Sequence, residues 1–262
     1  MIRRDWIDET GRPCWVLISQ VDHAHLAGQL ANAWGADPFS RVEPQAEAIA
    51  AIRHHDDGWT AWDSRPIADK TGRPPNFPEM GADVSVEIWR RSIESAAAVG
   101  PLAQYMIAGH FCALLHRFRS WRSAAPPERT AAEGFLARYE RQMAVWLDEW
   151  IEAALALHTR GLGETALRHL QFFDTLSLWL CTAEKREPLN AQSADGQQIA
   201  FIPHSASLLQ ARPWPFQVPV LELEIPGHVL PVGTYPAGTD LTDAAQRTVI
   251  VDVRIESEAG RR

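Results

Sequence analysis

The hydrophobic period changes twice along this chain, and those changes constrain its fold more tightly than anything else in the sequence. Residues 4–19 read as a hairpin, because Asp8-Glu9-Thr10-Gly11 supplies turn chemistry ahead of the β-prone run Cys14-Trp15-Val16-Leu17-Ile18. From Val21 the period turns helical: His23, Leu26, Ala27, Leu30 and Trp34 fall on one face, and Gly35 stops the helix. A second helix is predicted from near Pro44 through Ile49 and Ile52 into His54-His55-Asp56-Asp57-Gly58. Residues 59–83, broken by Pro66, Pro74, Pro75 and Pro78, predict a long loop, functional or disordered. Helices resume over about 84–98, 101–119, 128–159 and 164–184, punctuated by Gly100-Pro101, Pro126-Pro127 and Gly161. Beyond Pro188 the runs 199–202, 218–225 and 248–253 alternate or stay apolar between Pro and Gly turns, which predicts a small sheet, one the hairpin could join. The expectation is a mainly α chain: a helical domain with its N-terminal hairpin at 1–187, and a β-rich C-terminal extension at 188–262 packed on it.

Composition narrows the function classes. At 46% hydrophobic and 22% charged, the chain can build a sizeable core. Its net charge of -8 argues against a broad basic face for duplex nucleic acid and against a polybasic membrane anchor. Three cysteines, Cys14, Cys112 and Cys181, are an odd count without paired spacing, so neither a disulfide framework nor a thiolate zinc site is expected. Asp8, Glu9 and Arg12 interrupt any signal-like core, and no window is apolar enough to span a membrane. A cytoplasmic protein is the expectation, with a homo-oligomer left open.

Three helices carry ionisable residues on faces that should be buried. His23 heads the first apolar stripe; Asp56 shares a face with Ile49 and Ile52, with His55 at its margin; Asp174 lines up with Leu167, Leu170 and Leu178. An ionised carboxylate in an apolar stripe is costly unless a cation or several donors compensate it. Imidazole and carboxylate together suit a divalent metal, with Fe, Mn, Zn or Mg unresolved. Neighbouring helical residues point about 100° apart, so His55 and Asp56 reach one ion only beside a helix end.

The pattern His23-Ala24, then His55-Asp56-Asp57-Gly58, then Asp174-Thr175-Leu176-Ser177, resembles the HD superfamily of metal-dependent phosphohydrolases. Ile18-Ser19-Gln20-x-Asp22-His23-Ala24 with His54-His55-Asp56-Asp57-Gly58-Trp59-x-x-Trp62-Asp63-x-x-Pro66 more closely resembles an uncharacterised bacterial family, a domain of unknown function. The superfamily resemblance implies an HD-like helical domain and metal ligands at His23, His55, Asp56 and Asp174. It also implies hydrolysis of phosphate esters through a metal-bound hydroxide. Trp59 stands where many HD enzymes have a Lys or Arg, so one phosphate contact is missing.

Around that set, Asp57 and Asp63 are candidate proton carriers. His110 is a catalytic residue, an added ligand or a satisfied core histidine, and His54 is expected on the substrate side or facing solvent. Trp59 and Trp62 are expected at a pocket rim, and Arg65, Lys70 and Arg73 on the Pro-rich loop could meet a small anionic substrate. The segment His116–Arg122 interleaves Arg and aromatic residues, for which snorkelling Arg at an exposed helix end outweighs a grip on phosphates or single-stranded nucleic acid. Two rivals to the hydrolase stand. One is an HD-type di-iron oxygenase, which needs two further histidines that the spacing of His110 and His116 does not clearly supply. The other is a non-catalytic module that binds a ligand or partner.

Overall fold

Trp15 and Leu17 alternate with Val16 and Ile18, and all four are buried, so this strand is covered on both faces. Val16 and Ile18 join the main core, whereas Trp15 and Leu17 join a second, smaller cluster with Met1, Ala68, Leu230 and Leu241. A strand buried on both faces belongs inside a sheet. In the computed structural model, which describes residues 1–182, 187–245 and 247–257, it does.

Strands β1 (Ile2–Ile7) and β2 (Pro13–Ile18) form the expected hairpin. They continue into strands from the far end of the chain: β3 (Leu189–Gln192), β4 (Gln198–Pro203), β5 (Leu208–Arg212), β6 (Val220–Pro231) and β7 (Arg247–Glu256). The seven lie in one curled mixed sheet, ordered β1-β2-β6-β7-β5-β4-β3. Every pairing is antiparallel except β5 with β7. This corrects the expected fold class. The protein is not a mainly α HD-like domain with a small hairpin, because hairpin and tail fuse into a sheet that supplies one whole layer. The local pattern hides this: β6 and β7 alternate Glu222, Glu224, Asp252 and Arg254 with buried Leu223, Ile225, Val253 and Ile255, and their long pairing is non-local.

Helices α1 (Gln20–Ala33), α2 (Gln45–Arg53), α3 (Thr60–Asp63), α4 (Ala82–Ser95), α5 (Pro101–Arg117), α6 (Pro126–Ala153) and α7 (Arg160–Thr182) form the other layer. Proline opens α5 and α6 in the first turn, where its missing N–H costs no intrahelical bond. Helix α7 was expected to reach 184, but residues 183 and 184 lie outside the described residues. One core joins Leu26, Leu30, Phe111, Phe173 and Leu180 on the helices to Val16, Ile225 and Val253 on the sheet.

The Pro-rich segment is pinned rather than free. Ala68 N–H donates to Thr239 O and Leu241 N–H to Pro66 O, each at 2.8 Å, and Phe77 N–H donates to Met1 O at 3.0 Å. It covers the outer face of the hairpin around Trp15 and Leu17. Among the described residues no helix is long and apolar enough to cross a membrane.

Candidate metal centre

The site is built where β2 hands the chain to α1. Ser19 caps α1: its hydroxyl accepts from Asp22 N–H at 2.9 Å and donates back to Asp22 Oδ2 at 2.6 Å, which sets His23 in the first turn. Helix α2 ends at Arg53, and a 3-10 turn follows over Asp57–Trp59, so His55 and Asp56 sit in the bend between them. Asp174 lies on α7 and His110 on α5. These four elements converge on one buried cluster.

His23 Nε2 lies 3.2 Å from Asp174 Oδ1, and His55 Nε2 lies 3.3 Å from the same oxygen. Asp56 Oδ2 approaches the two Nε2 atoms to 3.7 and 3.6 Å. His110 Nε2 stands a little farther off, 3.8 Å from Asp174 Oδ1. His23, His55 and Asp174 each offer a ligand atom, all within 4.8 Å of one another, so this buried group could hold a metal. Two donors about 2.1 Å from one ion at tetrahedral or octahedral angles lie about 3.0–3.4 Å apart, the spacing seen here for the two His–Asp174 pairs.

The outer nitrogens fit that reading. His55 Nδ1–H donates to Ile52 O at 2.8 Å. His23 Nδ1 lies 2.9 Å from Ser177 Oγ, whose single proton goes to Phe173 O at 2.8 Å, so the hydroxyl accepts from the imidazole. In their neutral form both imidazoles thereby present an unprotonated Nε2 to the carboxylates. Neither Nε2 has a hydrogen-bond partner among the described residues, although both are buried. Fixing the far nitrogen of a ligating histidine is what orients it.

The electrostatics without metal are tense. Burial disfavours charge on His55, but Asp56 and Asp174 outweigh it and lift its pKa to about 9. Burial alone would raise Asp174 too, yet His110, His23 and His55 hold its carboxyl well below the usual range. Asp56 is raised by burial, which the two histidines offset only in part. Burial pushes His110 down to about 4.

The other expected site residues lie elsewhere. Asp57 pairs with His54 Nδ1 at 3.1 Å, both partly exposed. Asp63 is buried against the Met1 amino group at 2.7 Å and accepts from Gln20 N–H. Arg65 pairs with Asp240 at 2.7 Å, Arg73 Nε donates to Thr71 Oγ1, and Lys70 is exposed on the same turn. Trp62 is exposed, whereas Trp59 is buried. A cavity of about 590 Å³ reaches the cluster. Of the expected residues, His23, Asp56, Asp174, His110 and Trp59 line it, while His54, His55, Asp57, Trp62, Asp63, Arg65, Lys70 and Arg73 do not.

One feature escaped the sequence: Ser177 supports His23 from one α-helical turn past Asp174, a spacing visible once Asp174 is taken as a ligand. Arg117, Phe118 and Ser120 are exposed at and beyond the end of α5, as expected, and together with buried Trp121 they also line the cavity.

Fold and centre together define an α-helical layer on a mixed sheet, with a buried His/Asp group of metal-binding type between helices. The chain belongs to the family described as protein of unknown function, DUF3891, whose model matches residues 1–232. No curated protein and no solved structure matches the chain.

Proposed function

We propose that this protein is a metal-dependent hydrolase of phosphate esters, with His23, His55, Asp56 and Asp174 as its divalent-metal ligands. The observation that carries the reading is the pair of buried Nε2 atoms, without hydrogen-bond partners among the described residues, aimed at two carboxylates beside a ligand-sized cavity. A nitrogen and oxygen donor set suits a hard or borderline divalent ion. Such an ion would supply Lewis acidity and a water of lowered pKa. The order His, His-Asp, distant Asp along the chain resembles that of the HD superfamily and supports hydrolysis, although the sheet departs from that fold.

The chain's own residues have defined tasks in this reading. Ser177 and Ile52 O orient the two imidazoles. His110, neutral at pH 7 and lining the cavity, would accept a proton at Nε2. Trp59, itself buried, walls the cavity beside Asp56.

The test is turnover of a phosphomonoester panel by protein loaded in turn with Zn, Mn, Fe or Mg. Activity with one or more metals, abolished in folded His55→Ala and Asp174→Asn variants, is expected. Full metal occupancy without turnover on the panel would overturn the hydrolase. Two irons per chain with a visible absorption band would instead establish a di-iron oxygenase.

A further inference from the structure

The cavity above the cluster has a composition that selects its occupant. Trp59, Trp89, Phe111, Phe118, Trp121 and Leu178 are among its walls. Three of these aromatics are fixed by defined contacts. Trp89 stacks on Phe111 with centroids 4.9 Å apart and planes 9° from parallel, and Trp121 Nε1–H donates to Leu115 O at 2.9 Å. Flat apolar walls fixed before a ligand arrives favour a flat apolar ligand, because little ordering remains to be done on binding.

The charges in the cavity are few. Among the described residues Arg117 is the one lining cation apart from the histidines, and it lies over the Phe118 ring at 5.4 Å. Glu128 faces the same space, and its Oε2 accepts from Ala82 N–H at 3.0 Å. Polyphosphates are normally held by several cations or backbone nests beside a metal. One Arg balanced by one Glu does not supply that.

Resting on the metal-dependent reading, we infer that the substrate is an aromatic monoester: one phosphoryl group at the His/Asp cluster and a flat apolar ring between the aromatic walls. The inference goes beyond hydrolase chemistry because it assigns the leaving group, and it disfavours both polyphosphates and small polar phosphates. Phe118, more than half exposed, and Leu178, partly buried, both line the cavity.

The experiment reads affinity, not turnover, on zinc-loaded protein. Calorimetric titrations compare 1-naphthylphosphonate with methylphosphonate and with tripolyphosphate, none of which carries a carbon–oxygen–phosphorus ester to cleave. The naphthyl compound is expected to bind about a hundredfold more tightly than the methyl compound, the ring being the sole difference. Phe118→Ala should weaken naphthylphosphonate about threefold to tenfold and leave methylphosphonate unchanged. Leu178→Trp, which fills the cavity instead of opening it, should also separate the two ligands. Equal affinities, or tripolyphosphate binding tightest, would overturn the inference. Ring-dependent binding without turnover of any ester would leave the cavity assignment standing and remove the hydrolase. Turnover of glycerol phosphate as efficient as that of naphthyl phosphate would do the reverse.

Discussion

Ser177 Oγ accepts a hydrogen bond from His23 Nδ1 at 2.9 Å while donating its own proton to the carbonyl of Phe173. That relay, within one helix of Asp174, leaves neutral His23 with an unprotonated Nε2 pointed at the carboxylate. The imidazole is thus oriented before any ion arrives. Ser177→Ala should therefore keep the fold but lower zinc affinity about tenfold to a hundredfold, as loss of such supporting groups does elsewhere. Competition titration with a chromophoric chelator measures it; unchanged affinity would mean that His23 needs no support.

His54 and His55 are adjacent in sequence and opposite in consequence. His55 is fully buried with Nε2 in the cluster, whereas His54 pairs with Asp57 where both are partly exposed. His55→Ala should abolish tight metal binding and the rise in melting temperature that bound metal brings. His54→Ala should leave both intact. Equal losses from the two variants would show that the cluster is not where the ion binds.

Metal uptake should release protons. The folded-state pKa of His55 is raised to about 9, so at pH 7 the metal-free imidazole is protonated, and only its free base ligates. The sign follows: affinity should climb as pH rises toward 9 and fall in acid, roughly tenfold per pH unit for each proton displaced. His110, pushed down to about 4, is already neutral at pH 7 and adds no proton. Calorimetry in buffers of different ionisation enthalpy should count at least one proton released per metal bound at pH 7. In the metal-free protein, the stabilisation from charged His55 is fully present below pH 6.5 and is lost as pH rises through 9.

Gly58 is required by space rather than by dihedral angle. A Cβ there would press into the carbonyl of Ile88 and come within 2.6 Å of Ser92 N, both on α4, while Gly58 N–H donates to Ser92 Oγ at 3.0 Å. Gly58→Ala must push α4 away from the bend that carries His55 and Asp56. A destabilisation of about 1–3 kcal/mol in urea titration is expected, as for other overpacked sites, with weakened metal binding alongside.

Much of the site could be anticipated from local pattern. A carboxylate at Asp174 among Leu167, Leu170 and Leu178 is anomalous on an apolar helix face wherever that helix packs, and His23 at the head of a stripe is anomalous in the same way. The face shared with Ile49 and Ile52 singles out Asp56 over Asp57, and Asp56 is the acid that turns inward, although both lie past the last turn of α2, where the bend also sets side-chain direction. Asp63 was not legible in this way: a carboxylate near the motif in sequence is held instead by the Met1 amino group and Gln20 N–H.

The amino-acid sequence by itself determined the hairpin, the presence and order of the long helices and the residue types that offer metal ligands, since each depends on neighbours within a few turns of chain; the end of α6, expected near 159, falls at Ala153. Tertiary structure alone decided that β2 pairs with β6, joining Cys14–Leu17 to His228–Pro231 across more than two hundred residues. Strand pairing is set by which faces can be buried together, and alternation within a strand does not name its partner. The same long-range packing pinned the Pro-rich segment over Trp15, took Arg65 and Arg73 away from the cluster, and put Arg117 and Phe118 on the cavity wall.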